Sequence, residues 1–212
     1  MISKFALVHW KKGNTMSVSA IIMAAGLSQR MKQNKLKMLI NNKFIYKYIF
    51  DTIKNLRDCF KEVIVVAKDE EILEEAIESG FKAIKNEYSH QGQSTSIKLG
   101  IQSLYEVDGY MFFVADQPFI SEDTIKKLLN EFENNYKNIV MASYNGANGN
   151  PVIFPKMFKK QLLNLKGDTG GKVIIKSNED KLIKVHIQSD DEFIDIDTIE
   201  DYERIVKKKV IY

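Results

Sequence analysis

From Val18 onward, short runs that are apolar at nearly every position alternate with stretches whose apolar residues recur every three or four positions. The runs Val18–Ala24, 62–67 (EVIVVA) and 110–115 (YMFFVA) read as strands covered on both faces, because a strand with one wet face would alternate polar and apolar residues. Ile45, Ile49, Ile53 and Leu56 share one face of a helix predicted over 44–56. Further helices are predicted over 70–79, closed by Gly80, over 95–105 and over 121–136. Ser121 followed by Glu122 and Asp123 marks the start of the last of these, with a hydroxyl to cap the first turn and acids at the positive end of the helix dipole. A short strand is predicted over 81–84; beyond it come strands over 139–142, 152–154 and 182–187 and a closing helix over 198–208.

Apolar strands separated by helices predict an α/β protein with a mostly parallel, Rossmann-like sheet and helices on both faces. Sheets of that kind bind ligands at the carboxyl ends of their strands. The polar, glycine-containing segments fall there: 25–35 after the first strand, and Asp116-Gln117-Pro118 after the third.

The first 15 residues carry no clear period, mixing Phe5 and Trp10 with Lys11, Lys12 and Gly13. They read as an N-terminal extension, followed by one domain over 16–212, a length that buries a sizeable core without disulfides. The single cysteine, Cys59, excludes a disulfide framework or a thiolate zinc site within one chain. No apolar run reaches the length of a membrane span and no secretory leader is recognisable, so a cytoplasmic protein without membrane attachment is expected. His9, His90 and His186 show no metal-ligand spacing, and neither a Ser-His-Asp nor a Cys-His arrangement is legible. Charge adds one feature: residues 1–50 hold nine lysines and arginines, whereas all 28 aspartates and glutamates lie from Asp51 onward. A basic first segment attracts anions such as phosphates, though it is equally the composition of a solvated lysine-rich surface.

Three segments carry candidate chemistry. In Ala24-Ala25-Gly26-Leu27-Ser28-Gln29-Arg30, continuing to Lys35, the glycine lets the backbone approach a ligand, and Arg30 and Lys35 would add positive charge against a triphosphate. The segment matches neither the three-glycine dinucleotide fingerprint nor the P-loop, and an ordinary strand-to-helix loop would look similar. Asp116, stiffened by Pro118 at a strand end, would hold Mg²⁺ against phosphate oxygens, or would cap the next turn. In Asp195-Ile196-Asp197-Thr198 the two aspartates point to one face if the chain is extended, which suits a cation; Asp197 or Thr198 would also cap the following helix. Gly149-Asn150-Pro151 reads as a tight turn into a strand. Lys166-Gly167-Asp168-Thr169-Gly170-Gly171-Lys172 reads as a glycine-rich turn into a helix, and Gly92-Gln93-Ser94-Thr95-Ser96 as a helix start whose hydroxyls meet a ligand or cap.

In order, AAGLSQRM with its later lysine, ADQP, GNPVIF, GDTGGK and DIDTIEDY resemble the molybdenum cofactor cytidylyltransferases over roughly 18–208. The resemblance implies a three-layer α/β/α fold of the nucleotide-diphospho-sugar transferase type. It implies a nucleotidyltransferase that uses CTP and Mg²⁺, takes a molybdopterin-type cofactor as acceptor, serves a molybdenum hydroxylase client and binds no nucleic acid. Carried over, it assigns Ala24, Ala25, Gly26, Leu27, Ser28, Gly92, Ser94 and Ser96 to the nucleotide. Arg30, Lys35 and Asp116 fall to catalysis, Asp116 and Asp197 to the metal, and Asn150, Asp168 and Gly170 to the acceptor side. The chain departs from the family at Lys32 for a glycine, Asn150 for a histidine and Ile199 for a proline, and Lys37 competes with Lys35 for the lysine role. A donor other than CTP (GTP above all), a sugar or polyol phosphate acceptor, or a non-catalytic pterin-cofactor insertion chaperone are the alternatives.

Overall fold

The structure, a computed structural model, describes residues 16–26, Met31 and 34–210. Seven strands form one sheet: β1 (Val18–Ala24), β4 (Val63–Ala67), β5 (Lys82–Lys85), β6 (Gly109–Val114), β7 (Ile139–Tyr144), β8 (Ala147–Pro155) and β9 (Leu182–His186), in the order β5-β4-β1-β6-β8-β7-β9. All neighbours are parallel except β8, which runs antiparallel to both β6 and β7. Two-residue strands β2 (Leu39–Ile40) and β3 (Lys43–Phe44) make a separate hairpin.

Alternate residues of each central strand feed opposite cores, as the unbroken apolar runs require. Val63, Val65, Met111 and Phe113 pack on one face with Ile49, Phe50 and Ile53 of α1 (Ile45–Asn55), Ile72 of α2 (Glu70–Glu78) and Leu128 and Phe132 of α4 (Glu122–Asn134). On the other face Ile64, Val66, Tyr110 and Phe112 meet Ile97 and Ile101 of α3 (Gln93–Gln102), Leu162 of α5 (Lys159–Leu163) and Ile174 of α6 (Lys172–Lys176). The three-layer α/β/α architecture is therefore the observed one. Its base is clipped shut: Asp108, just before β6, accepts from the Ser17 N–H at 3.0 Å and the Ser17 hydroxyl at 2.8 Å, fixing the start of β1 beside it.

One local expectation is corrected. The tight turn lies at Asn145-Gly146, between β7 and β8, where φ is 47° and 81°; Gly149-Asn150-Pro151 is inside β8, with a cis peptide between Asn150 and Pro151. Asn-Gly is the pair that tolerates two successive left-handed residues, which a two-residue hairpin turn demands. The 167–172 turn leads into α6 as expected, and it also holds a second helix. Asp168 Oδ1 accepts from the Gln93 N–H at 3.2 Å and Gly167 O from the Ser94 N–H at 3.2 Å, so the turn caps α3 across the cleft.

Candidate active site

β1, β4 and β6 end in register, with Ala24 opposite Ala67 and Met23 opposite Val114, so the segments leaving these strands open on the same edge of the sheet. Asp116 stands there, two residues past β6. The 34–37 segment is folded back onto this edge: Asn34 caps a single 3₁₀ turn, Lys35–Lys37, by accepting from the Leu36 N–H, and donates to Asp69 Oδ2 at 3.1 Å. Leu36 is buried, and Lys35 is carried inward with it, its side chain only 10% exposed. A buried ammonium needs counter-charge. Lys35 Nζ finds two, Asp116 Oδ2 at 2.5 Å and Asp197 Oδ1 at 2.8 Å. Burial alone lowers the Lys35 pKa, but the two carboxylates outweigh it and hold the ammonium above its ordinary value. Lys37, by contrast, pairs at the surface with Glu71 at 2.5 Å. Of the two lysines, Lys35 is the one that meets Asp116 and Asp197.

Asp197 reaches the site because the chain before the last helix is tied to the Asp116 turn by an Ile196 N–H to Asp116 O bond of 3.2 Å. Capping of α7 (Ile199–Val210) is done by its neighbour: Thr198 Oγ1 accepts from the Asp201 N–H, and Asp201 Oδ2 accepts from the Thr198 N–H, both at 3.1 Å. The Asp197 side chain accepts from Lys35 Nζ. Asp195, which lines the cleft, is pushed up to about 6 by burial of its carboxyl against the wall and by Asp116 and Asp197, against a hydrogen bond from Gln117 and the charge of Lys35.

A cleft runs along this edge in two lobes that share Met23, Gln93 and Asp168. The smaller, about 650 Å³, is lined by Ala25, Gly26, Lys35, Gly92, Ser96, Asp116 and Asp197 among others. The larger, about 1370 Å³, is lined by Asn150, Asp168, Gly170, Lys172, Lys176 and Lys184, with Phe193 and Asp195. Gly92 sits where the lobes meet, at φ 102°, with its α-carbon so close to the 167–168 backbone that a Cβ would lie 2.4 Å from Asp168 N.

The sequence-named residues thus divide. Ala25, Gly26, Lys35, Gly92, Ser96, Asp116, Asn150, Asp168, Gly170 and Asp197 line the cleft. The Ala24 side chain is in the core, and Ser94 is buried with its N–H on Gly167, so neither side chain lines a lobe. Leu27, Ser28 and Arg30 lie outside the described residues. Gln93 and Gln117 are cleft-lining residues that sequence reading does not single out; an isolated glutamine carries no signal that separates a site from a surface. Among the described residues no group of three or more histidine, cysteine or carboxylate side chains is arranged to hold a metal ion, and no helix is long and apolar enough to cross a membrane.

Residues 20–182 match the model of the MobA-like NTP transferase domain. The chain belongs to that family. Asp195 and Asp197 lie beyond the matched span. A probable molybdenum cofactor guanylyltransferase of Natranaerobius thermophilus is 28% identical over 134 residues, 62% of this chain and 63% of that one. The purine catabolism protein PucB of Bacillus subtilis is 28% identical over 197 residues, 87% of this chain and 94% of its own. Among solved structures, a nucleotidyl transferase from Methanothermobacter thermautotroptrophicus superposes with a TM-score of 0.77 at 19% identity, covering 94% of this chain and 99% of that one, a likeness of fold.

Proposed function

We propose that this family member transfers a nucleoside monophosphate from an NTP to a phosphorylated acceptor of the molybdenum-cofactor type, releasing pyrophosphate. The observation that carries the reading is the Lys35 ammonium held between Asp116 and Asp197 at the carboxyl ends of parallel strands. The smaller lobe takes the NTP against the Ala25-Gly26 backbone. The larger, with Lys172, Lys176 and Lys184 on its wall, takes the anionic acceptor.

An oxygen of the acceptor phosphate attacks the α-phosphorus; the bond from that phosphorus to the oxygen bridging toward the β-phosphate breaks, and pyrophosphate leaves with the electron pair. The nucleophile belongs to the substrate, so the protein acts through position and charge. Lys35 exchanges carboxylate partners for phosphate oxygens when a triphosphate enters, and offsets charge building on the α-phosphate and the leaving group. Arg30 joins it on the strength of the sequence resemblance. The donor set fits Mg²⁺: two carboxylates already converge on one positive charge, and hard oxygen ligands suit that ion. Mg²⁺ held by Asp116 and Asp197 would neutralise phosphate charge and orient the two substrates.

For the base we propose CTP, on the resemblance of GDTGGK and DIDTIEDY to the cytidylyl branch. GTP is the competing donor, since relatives of this chain are named guanylyltransferases. The test is to incubate the protein with Mg²⁺, the cofactor and each of the four NTPs and to weigh the product. A cytidine dinucleotide is expected; a guanosine product reassigns the base, and no product with any NTP refutes the transferase reading.

A further inference from the structure

Asn86, immediately after β5, is 0% exposed, a costly place for an amide unless every polar atom is partnered. Its backbone N–H donates to Ala67 O at 2.7 Å, at the end of β4. Oδ1 accepts from the Tyr88 N–H at 3.0 Å, and Nδ2 lies 2.9 Å from both Thr95 Oγ1 and Ser96 Oγ. A backbone N–H only donates, so the amide oxygen must face Tyr88 and the amide orientation is fixed by its surroundings. The two Nδ2 protons then go to the two hydroxyls, and both hydroxyls act as acceptors. Thr95 spends its own proton on Gly92 O at 2.8 Å. Ser96 still has a proton to give, and no acceptor among the described residues takes it. Ser96 lines the smaller lobe.

We propose that Asn86 is a specificity-setting positioning residue. By donating to Ser96 it fixes that hydroxyl as a hydrogen-bond donor to the ligand of the smaller lobe, which therefore recognises an acceptor atom of the nucleotide and disfavours an amino group at that point. The inference rests on the proposed nucleotide occupancy of this lobe. It goes beyond it in naming a buried residue, outside the cleft, that decides the direction of a hydrogen bond within it. Asn86 also ties β4, the 88–92 segment and the first turn of α3 together, so loss of the side chain would disturb several contacts at once. The informative substitution is Asn86→Asp. It keeps the shape and the acceptor for Tyr88 but replaces the donor by a second acceptor, so Ser96 turns its proton inward and shows the ligand only lone pairs.

The experiment titrates CTP and GTP by calorimetry into wild type, Asn86→Asp, Ser96→Ala and the double variant, without acceptor, alongside thermal midpoints. Asn86→Asp and Ser96→Ala should each weaken the preferred nucleotide by about tenfold, the worth of one hydrogen bond. In the Ser96→Ala background, Asn86→Asp should change affinity by less than about twofold, because the hydroxyl it acts through is gone. An equal loss in both backgrounds would mean that added charge or loop distortion is responsible, and would overturn the proposal, as would wild-type affinity in Asn86→Asp. A wild-type protein that binds none of the nucleotides would overturn the occupancy reading and this inference with it.

Discussion

Replacing Lys35 by methionine keeps the length and apolar stem of the side chain and removes only the charge that lies 2.5 Å from Asp116 and 2.8 Å from Asp197. Taking one partner from a fully buried ion pair costs about 3–5 kcal/mol, because the other charge is stranded. Here the stranded carboxylates keep 22% and 39% of their side-chain surface, so water and salt screen their mutual repulsion. A loss of about 1–2 kcal/mol is therefore expected at low ionic strength, which for a chain of this size lowers Tm by about 2–8 °C. Salt should narrow the gap to wild type, since screening acts on the repulsion left behind. Millimolar Mg²⁺ should stabilise the variant more than the wild type, because the cation would supply positive charge near the carboxylates that the ammonium no longer supplies. Turnover should fall by about 10²–10³-fold, the cost of deleting one preorganised charge at a transition state. The assay pairs a salt series of thermal melts with pyrophosphate release. An unchanged Tm at every salt concentration together with near-wild-type turnover would refute the account of Lys35.

Lys37→Ala should leave nucleotide affinity nearly unchanged in calorimetry, because Lys37 is engaged at the surface with Glu71; a larger loss than for Lys35→Met would reassign the site. Gly92→Ala places a Cβ 2.4 Å from Asp168 N at φ 102°, so it should cost about 1–3 kcal/mol and raise the nucleotide KM by prising the two loops apart; an unshifted melt and KM would count against the close approach. Asp108 is raised by burial but lowered further by the Ser17 N–H and hydroxyl and by Lys156, leaving its folded pKa below the ordinary value. Its contribution is thus present above the unfolded pKa of about 3.9 and is lost as pH falls through the lowered folded value. Asp108→Asn should flatten the fall of the urea midpoint at acid pH, and an unaltered slope would contradict the clip.

The sequence is most legible where one physical demand controls every position. Val18–Ala24 is the strand read from its apolar run, and 62–67 and 110–115 shift by a single residue, because burial on both faces leaves no polar position free. The polar half of β8, Ala147–Asn150, has neither alternation nor an apolar run, so the hairpin at Asn145-Gly146 is hidden beside the more conspicuous Gly149-Asn150-Pro151. Helices α5 and α6, five residues each, are too short for a helical period to emerge. In the site, Lys35 and Asp116 are 81 residues apart, and Lys35 and Asp197 162, so no spacing rule joins them; only the shared sheet edge does. Motif order points to each of them separately, and the ion pairs come from the fold. Asn86 carries no signal, since a lone asparagine after a short strand reads as a turn residue until its burial and its four hydrogen bonds are seen.

We propose Asp116, with Lys35 and Asp197, as the place of nucleotidyl transfer. The proposal is tested most directly by measuring Mg²⁺-dependent pyrophosphate release in wild type and Asp116→Asn, with CTP, GTP and the cofactor present and a melt taken on the same samples. Asparagine keeps the size of the side chain but halves its capacity to accept and removes its charge. A folded Asp116→Asn protein is expected, within a few degrees of wild type, whose release falls by at least about 10²-fold. Wild-type rates in that variant would contradict the claim.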